Sequence, residues 1–207
     1  MGGNAVLTIV LATTNRKKAE EMKRMFAGYD ISFVTLNAFP GCPEVVEDGK
    51  TFRANALKKA RAVSKFTGLP TVADDSGLEV TALGGAPGVF SARYAGENAN
   101  DSENLKKLLR EMLPLTDSKD REARFVCCIA FATPEGKYNT FTGYIKGIIG
   151  KGPKGFNGFG YDPVFYPEGH TKAFAEMTAQ EKDRLSHRGR AMKKLYRYLK
   201  CDVLKTK

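Results

Sequence analysis

Val72-Ala73-Asp74-Asp75-Ser76-Gly77 places two carboxylates, a hydroxyl and a glycine at the end of a short apolar run, Leu69 to Ala73. An apolar run of this length bounded by turn residues reads as a buried strand, and ligands of α/β folds gather at strand ends. Two adjacent carboxylates there are costly to bury unless a cation neutralises them, and a hydrated magnesium ion is the usual one. The chain also supplies the basic groups an anionic substrate needs, so the combination points to phosphate chemistry. The same residues fit a plain loop opener, with Asp74 or Asp75 making an Asx turn and Gly77 at positive φ. Successive residues of an extended segment face opposite ways, so one carboxylate is expected to reach the reaction centre and the other to anchor the turn.

Other segments carry compatible chemistry. Leu11-Ala12-Thr13-Thr14-Asn15-x-x-Lys18 joins a first strand to a first helix. Hydroxyls, an amide and free N–H groups at a helix N-terminus suit a phosphate, with Lys18 as a point charge. An ordinary N-cap at Thr14 or Asn15 accounts for one polar residue there, not for three with a lysine. The glycine spacing of a Walker A loop is absent. Glu44-Val-Val-Glu47-Asp48-Gly49 offers a second metal ligand or a solvated acidic turn. Asn55 and Lys59, four residues apart, share one helix face that points at phosphates or at water. Phe156-Asn-Gly-Phe159-Gly160-Tyr161-Asp162-Pro163 combines aromatics, which stack on a nucleobase, with glycines that permit close approach, or forms a hairpin corner. Lys182 and Ser186-His187-Arg188-Gly189 bring donors to a helix start, where an anion or carbonyl oxygen is favoured.

The elements that must position these groups follow from periodicity. Val6 to Leu11 and Ile31 to Leu36 read as strands flanking a helix opened at Asn15, with Met22, Met25 and Phe26 on one face. Residues 37–50 form a loop marked by Pro40, Gly41, Pro43 and Gly49. Thr51 to Phe66 is a helix with Phe52, Ala56, Ala60, Val63 and Phe66 in its stripe. Leu83 to Gly88 is a tight connector. Asn100 or Asp101 caps a helix carrying Leu105, Leu108, Leu109 and Met112. Arg124 to Ala132 and Tyr138 to Ile149 form a hairpin around Pro134-Glu135-Gly136, followed by a glycine-rich loop to Gly160. Thr178-x-x-Glu181 is a capping box, and Ser186 is a second N-cap. The mixture predicts an α/β or α+β domain.

The 207 residues suffice for one α/β domain spanning 1–207, with a basic C-terminal tail at about 200–207. No apolar stretch reaches membrane-spanning length, and the N-terminal run lacks a signal-peptide signature. Cys42, Cys127, Cys128 and Cys201 show no Cys-x-x-Cys spacing and read as buried hydrophobes of a reducing, cytoplasmic compartment, with zinc disfavoured. The net charge is +10, and from Lys182 onward ten Lys or Arg face two Asp. Such an end binds polyanions or is a solvated helix face with a frayed tail. No nucleic-acid-binding module is recognisable, so nucleic-acid binding is not expected.

In order, Leu-Ala-Thr-Thr-Asn-x-x-Lys18, Glu-Asp-Gly-x-Thr-Phe-x-x-Asn-Ala-x-x-Lys59, Ala-Asp-Asp-Ser-Gly-Leu, Leu-Gly-Gly-Ala-Pro-Gly-Val-x-Ser-Ala-Arg-Tyr94, Gly158-Phe-Gly-Tyr-Asp-Pro and Ser-His-Arg-Gly189 resemble the inosine triphosphate pyrophosphatase, or Ham1, family. The six motifs run from residue 11 to 189. The resemblance implies a mixed-sheet, two-lobed α/β fold with a central cleft, and a homodimer. It implies magnesium-dependent hydrolysis of ITP, dITP and XTP, noncanonical purine nucleotides, to the monophosphate and pyrophosphate. Carried over, Asp75 is the catalytic acidic position; Thr13, Thr14, Asn15, Lys18 and Lys59 lie on the phosphate side; and Ser76 is a further substrate contact. Phe159, Gly160, Tyr161, Asp162, Lys182, His187 and Arg188 match the base side, and Glu47 joins Asp75 as metal ligand. Thr14 and Asn157 stand where many members have glycine. Two other readings compete: a Maf-type pyrophosphatase acting on pyrimidine and modified nucleotides, and a basic nucleic-acid-binding protein without enzymatic activity.

Overall fold

The computed structural model describes residues 6–203; residues 1–5 and 204–207, the latter the last part of the predicted basic tail, lie outside the described residues. Two compact units are built from interleaved segments. The first takes residues up to 75 with 128–142 and 191 onward, and the second takes 76–127 with 143–190.

The strands form a six-stranded sheet in the order β2-β1-β3-β4-β5-β6. They are β1 (Leu7–Leu11), β2 (Ile31–Thr35), β3 (Thr71–Val80), β4 (Glu122–Ala132), β5 (Tyr138–Ile149) and β6 (Phe165–Pro167). β1 runs parallel to β2, with Ile9 opposite Phe33, and parallel to β3, with Val10 opposite Thr71. β5 and β6 are antiparallel, so the sheet is mixed. The helices are α1 (Arg16–Met25), α2 (Phe52–Thr67), α3 (Asp101–Glu111), α4 (Ala179–Leu185) and α5 (His187–Tyr198). Among the described residues no helix is long and apolar enough to cross a membrane.

Local chemistry explains the helix boundaries. Asn15, Thr51, Asn100 and Thr178 each accept a hydrogen bond from the backbone N–H three residues on, which satisfies one of the donors a helix start leaves open. At α3 and α4 the third helical residue, Glu103 or Glu181, completes a capping box. Ser186 caps α5 in the same way, its Oγ accepting from Gly189 N–H at 3.1 Å. α2 buries Phe52, Ala56, Ala60 and Val63 and stops at Gly68, whose φ of 66° suits the left-handed conformation. Phe66, expected in the same stripe, is exposed.

Two strand expectations need correction, and one strand was not anticipated. β3 does not end at Ala73: it continues through Asp74, Asp75, Ser76 and Gly77 to Val80, and Gly77 is not at positive φ. A strand covered on both faces has its pairing decided by neighbours, and Leu78 and Val80 beyond the polar residues are fully buried. β2 gives way to a 3-10 turn at Leu36. The three-residue β6 was not anticipated, because so short a segment carries no readable period.

Each unit has its own core. In the first, Ile9, Val10 and Leu11 are buried with Met22, Phe26, Ala56 and Ala60. In the second, Leu78, Leu108, Met112, Phe125, Ile149, Tyr161, Val164, Phe165 and Phe174 cluster. Arg121, only 6% exposed, closes one end of this second core. Its guanidinium donates to the carbonyls of Met112 (2.9 Å), Leu115 (2.8 Å), Ile149 (2.6 Å) and Gly150 (2.7 Å), tying the end of α3 to the end of β5. Arg121→Met leaves these acceptors without their donor and is expected to cost about 2–4 kcal/mol in denaturant unfolding. Arg124→Met, which removes a half-exposed ion pair with Glu79, should cost under about 1 kcal/mol. Equal losses in the two variants would refute this role for Arg121.

Candidate active site

The first unit gathers the acidic and phosphate-type residues. At the β1–α1 junction the Asn15 side chain caps α1 through Lys18 N–H at 3.1 Å, and Thr13 Oγ1 accepts from Asn15 N–H at 3.2 Å. The capping reading therefore holds for Asn15, and Thr14 is exposed. The charge pattern of α1 asks for something more. Its first three residues are Arg16, Lys17 and Lys18, with no acid in the first turn. Cations at the positive end of a helix dipole are unfavourable, and an anion bound there would reverse the sign of that interaction.

β3 brings Asp74 and Asp75 into the interior, 1% and 6% exposed. Lys18 Nζ lies 3.2 Å from Asp74 Oδ2. Lys59 Nζ donates to the Asp74 carbonyl at 2.7 Å and to Glu47 Oε1 at 2.9 Å. Asn55 Nδ2 donates to Asp75 Oδ2 at 2.9 Å, and Asn55 Oδ1 accepts from Gly49 N–H at 2.7 Å. Lys18, Glu47, Lys59 and Asp75 thus converge, as the sequence suggested. Asp74 holds the two lysines instead of anchoring a turn.

Asp75 has a proton affinity above the ordinary carboxylate range. Burial is the dominant cause and the Glu47 charge adds to it; Lys59, the Asn55 hydrogen bond and Lys18 oppose it without cancelling it. A carboxylate still short of positive charge after two lysines is a fitting partner for a further cation. Among the described residues no three His, Cys, Asp or Glu form a metal cluster.

The second unit gathers the residues predicted for base recognition. Asp162, 2% exposed, accepts from Phe159 N–H at 2.8 Å and from Lys182 Nζ at 2.5 Å. Lys182 Nζ also lies 4.7 Å from the Phe159 ring centroid, and Arg188 Cζ lies 5.7 Å from it. Arg188, 1% exposed, donates through a terminal nitrogen to Ser76 Oγ at 2.9 Å. The His187 ring stacks on Phe125, with centroids 4.7 Å apart and planes 10° apart. The turn around Phe159 is therefore pinned by a buried ion pair, with an arginine beside the ring. A side chain at Gly158 would collide with the Asp162 carboxylate, and its φ of 76° also favours glycine. Gly160 N–H is taken by Asp101 Oδ2 at 2.9 Å. Tyr161 lies in the core, 4% exposed, with its hydroxyl donated to the Ser91 carbonyl at 2.9 Å, so the structure gives it a packing role. A separate cavity of about 700 Å³ in this unit, lined by Glu79, Arg124, Lys146 and Tyr166 among others, contains none of the predicted site residues.

Two residues that shape the acidic cluster were not singled out from sequence as site residues, Asn55 and Asp74. The spacing from Asn55 to Lys59 shows that they share a face, but not what that face meets. Comparison with known proteins gives an independent view. The family model described as the Ham1 family matches residues 9–198. The chain is 50% identical over 184 residues to the dITP/XTP pyrophosphatase of Desulfotalea psychrophila, covering 89% of this chain and 81% of that protein. It is 48% identical over 189 residues to the dITP/XTP pyrophosphatase of Syntrophobacter fumaroxidans, covering 91% and 80%. The solved structure of a HAM1 protein from Coxiella burnetii superposes with a TM-score of 0.85 at 44% identity, covering 94% of this chain and 98% of that one.

The raised proton affinity of Asp75 has a consequence for stability. The native state holds the Asp75 proton more tightly than the unfolded chain does. The resulting penalty on the native state is absent at low pH, where both forms are protonated, and grows as pH rises through the native pKa. In EDTA, Asp75→Asn should therefore melt higher than the unaltered protein at pH 7–8, and the difference should shrink as pH falls into the carboxylate range. Thermal melts over that pH series test this; a variant that melts lower at neutral pH would contradict it.

Proposed function

The chain belongs to the Ham1 family, and from that premise we propose that it hydrolyses ITP, dITP and XTP to the monophosphate and pyrophosphate, clearing noncanonical purine nucleotides from the nucleotide pool. The observation that carries this reading is the buried Asp75 carboxylate, hydrogen-bonded by Asn55 and flanked by Lys18 and Lys59. The α1 N-terminus and Lys18 take the phosphates, with Thr13, Thr14 and Asn15 lining the turn. Lys59 uses two of its three hydrogens on Asp74 and Glu47, leaving the third for a phosphoryl oxygen. Asp75 orients the attacking water toward the α-phosphorus and accepts its proton. Glu47 and Asp75 would hold Mg²⁺, which when bound supplies positive charge to the triphosphate oxygens.

In the second unit the Phe159 ring offers a stacking face, and His187, Arg188 and Lys182 offer donors. Hypoxanthine and xanthine present a 6-keto acceptor to such donors. Adenine presents an amino group, and each unsatisfied buried group costs about 1–3 kcal/mol. Ser76, hydrogen-bonded to Arg188, contacts the substrate beside Asp75 in the chain. Gly160 and Asp162 act through the turn that carries Phe159. The partner is a small nucleotide and the working form a homodimer; the cysteines are free, Cys127 and Cys128 buried as expected but Cys42 half-buried and Cys201 exposed, and free thiols agree with a reducing cytoplasmic setting.

The test is pyrophosphate release from ITP, XTP, dITP, ATP, GTP and dTTP, with magnesium and with EDTA. Turnover is expected for ITP, XTP and dITP and not for ATP, whose 6-amino group would face donors, and only with magnesium. Asp75→Asn should lower kcat by about 10²–10⁴-fold. Phe159→Ala should raise KM about tenfold with kcat little changed, as loss of a stacking face requires. Preferential turnover of dTTP would instead place the chain with Maf-type enzymes, and no turnover at all would sink the proposal.

A further inference from the structure

Asn55 is 1% exposed and makes two hydrogen bonds that its amide alone allows: it accepts from Gly49 N–H at 2.7 Å and donates to Asp75 Oδ2 at 2.9 Å. Gly49 ends the acidic segment that contains Glu47, so the amide links that segment to the carboxylate on β3. Gly49 is not at positive φ, so its backbone conformation does not require glycine. Space does: a Cβ there would lie 2.5 Å from Asn55 Oδ1 and 3.0 Å from the Ala54 Cβ. The side-chain end would yield first, turning the amide away from Asp75. The amide therefore fixes how the Asp75 carboxylate is turned.

We infer that Asn55 is a positioning residue that sets the orientation of the Asp75 carboxylate, and that Gly49 is glycine in order to hold that amide in register. This rests on the hydrolytic reading above, since it assigns Asn55 a task in that same reaction. A purely structural Asn55 would serve only to fasten the Gly49 N–H at the end of the acidic segment, and an isosteric acceptor would serve as well.

Asn55→Asp separates the two roles. It keeps the size and the acceptor for Gly49 N–H but replaces the fixed N–H donor with a second buried carboxylate, which repels Asp75 or shares one proton with it. With dITP and magnesium, kcat is expected to fall about ten- to a hundred-fold while KM stays within about threefold. Gly49→Ala should show the same split. Adding Gly49→Ala to Asn55→Ala should lower kcat by less than about twofold further, because the clashing oxygen is already gone. Melting curves confirm that each variant is folded, and Gly49→Ala stands in should Asn55→Asp fail to fold. Retention of kcat within about twofold in folded Asn55→Asp, or strict additivity of the two alanine changes, would overturn the inference. No turnover by the unaltered protein would remove the hydrolytic reading, and this inference with it.

Discussion

Burial of the Asp75 carboxylate is the constraint to which the rest of the first unit responds. A charged group so placed is expensive, and the surrounding residues offset only part of that expense. Asn55 gives it a hydrogen bond, Lys59 and Lys18 give it positive potential, and Asp74 and Glu47 hold those lysines in place. Each lysine is thereby fixed against protein oxygens before any substrate arrives. Charges held in advance need no reorganisation when negative charge develops on phosphoryl oxygens, which is why such arrangements suit phosphoryl chemistry.

The same logic makes the unliganded site a local weakness. Burial outweighs the compensation at Asp75, and α1 begins with three cations at the end of its dipole where anions are preferred. Both defects have one remedy, a ligand that carries a cation and a polyphosphate together. A site that is electrostatically incomplete by itself stabilises the protein when its ligand binds, by mass action. Stability given up at the site is recovered elsewhere, in the apolar cores and in anchors such as Arg121 with its four carbonyl bonds.

The second unit solves a different problem, displaying donors and an aromatic face without letting them collapse. Asp162 is the hub: it neutralises Lys182 and holds the Phe159 N–H, and Gly158 leaves room for it. Removing one member of a buried ion pair is commonly costly, about 3–5 kcal/mol, because the other is left uncompensated. The aromatic turn is therefore as rigid as the pair that pins it. Arg188, bonded to Ser76, gives the start of α5 a fixed relation to the middle of β3.

Local chemistry was legible in the sequence by itself. The caps at Asn15, Thr51, Asn100, Thr178 and Ser186 all act through atoms three residues away, so their signals are local: the pattern names Thr178 and Ser186, offers Asn15 and Asn100 each as one of two candidates, and makes Thr51 the first helical residue instead of the cap. The hairpin of β4 and β5 and the mixed α/β class followed from period and turn residues, and the ordered motifs pointed to the family. The tertiary structure decided whatever depends on distant partners. β3 runs through Asp-Asp-Ser-Gly because buried neighbours, not the polarity of those residues, govern its pairing. β6 exists because β5 offers it an edge. Tyr161, which by type suited a nucleobase, is a core residue once it joins Phe165 and Phe174. Asn55 meets Asp75 across 20 residues of chain and Arg188 meets Ser76 across 112. Residue types and spacing state which chemistry is available; which oxygen is held and which lysine is neutralised depends on distances that only the folded chain sets.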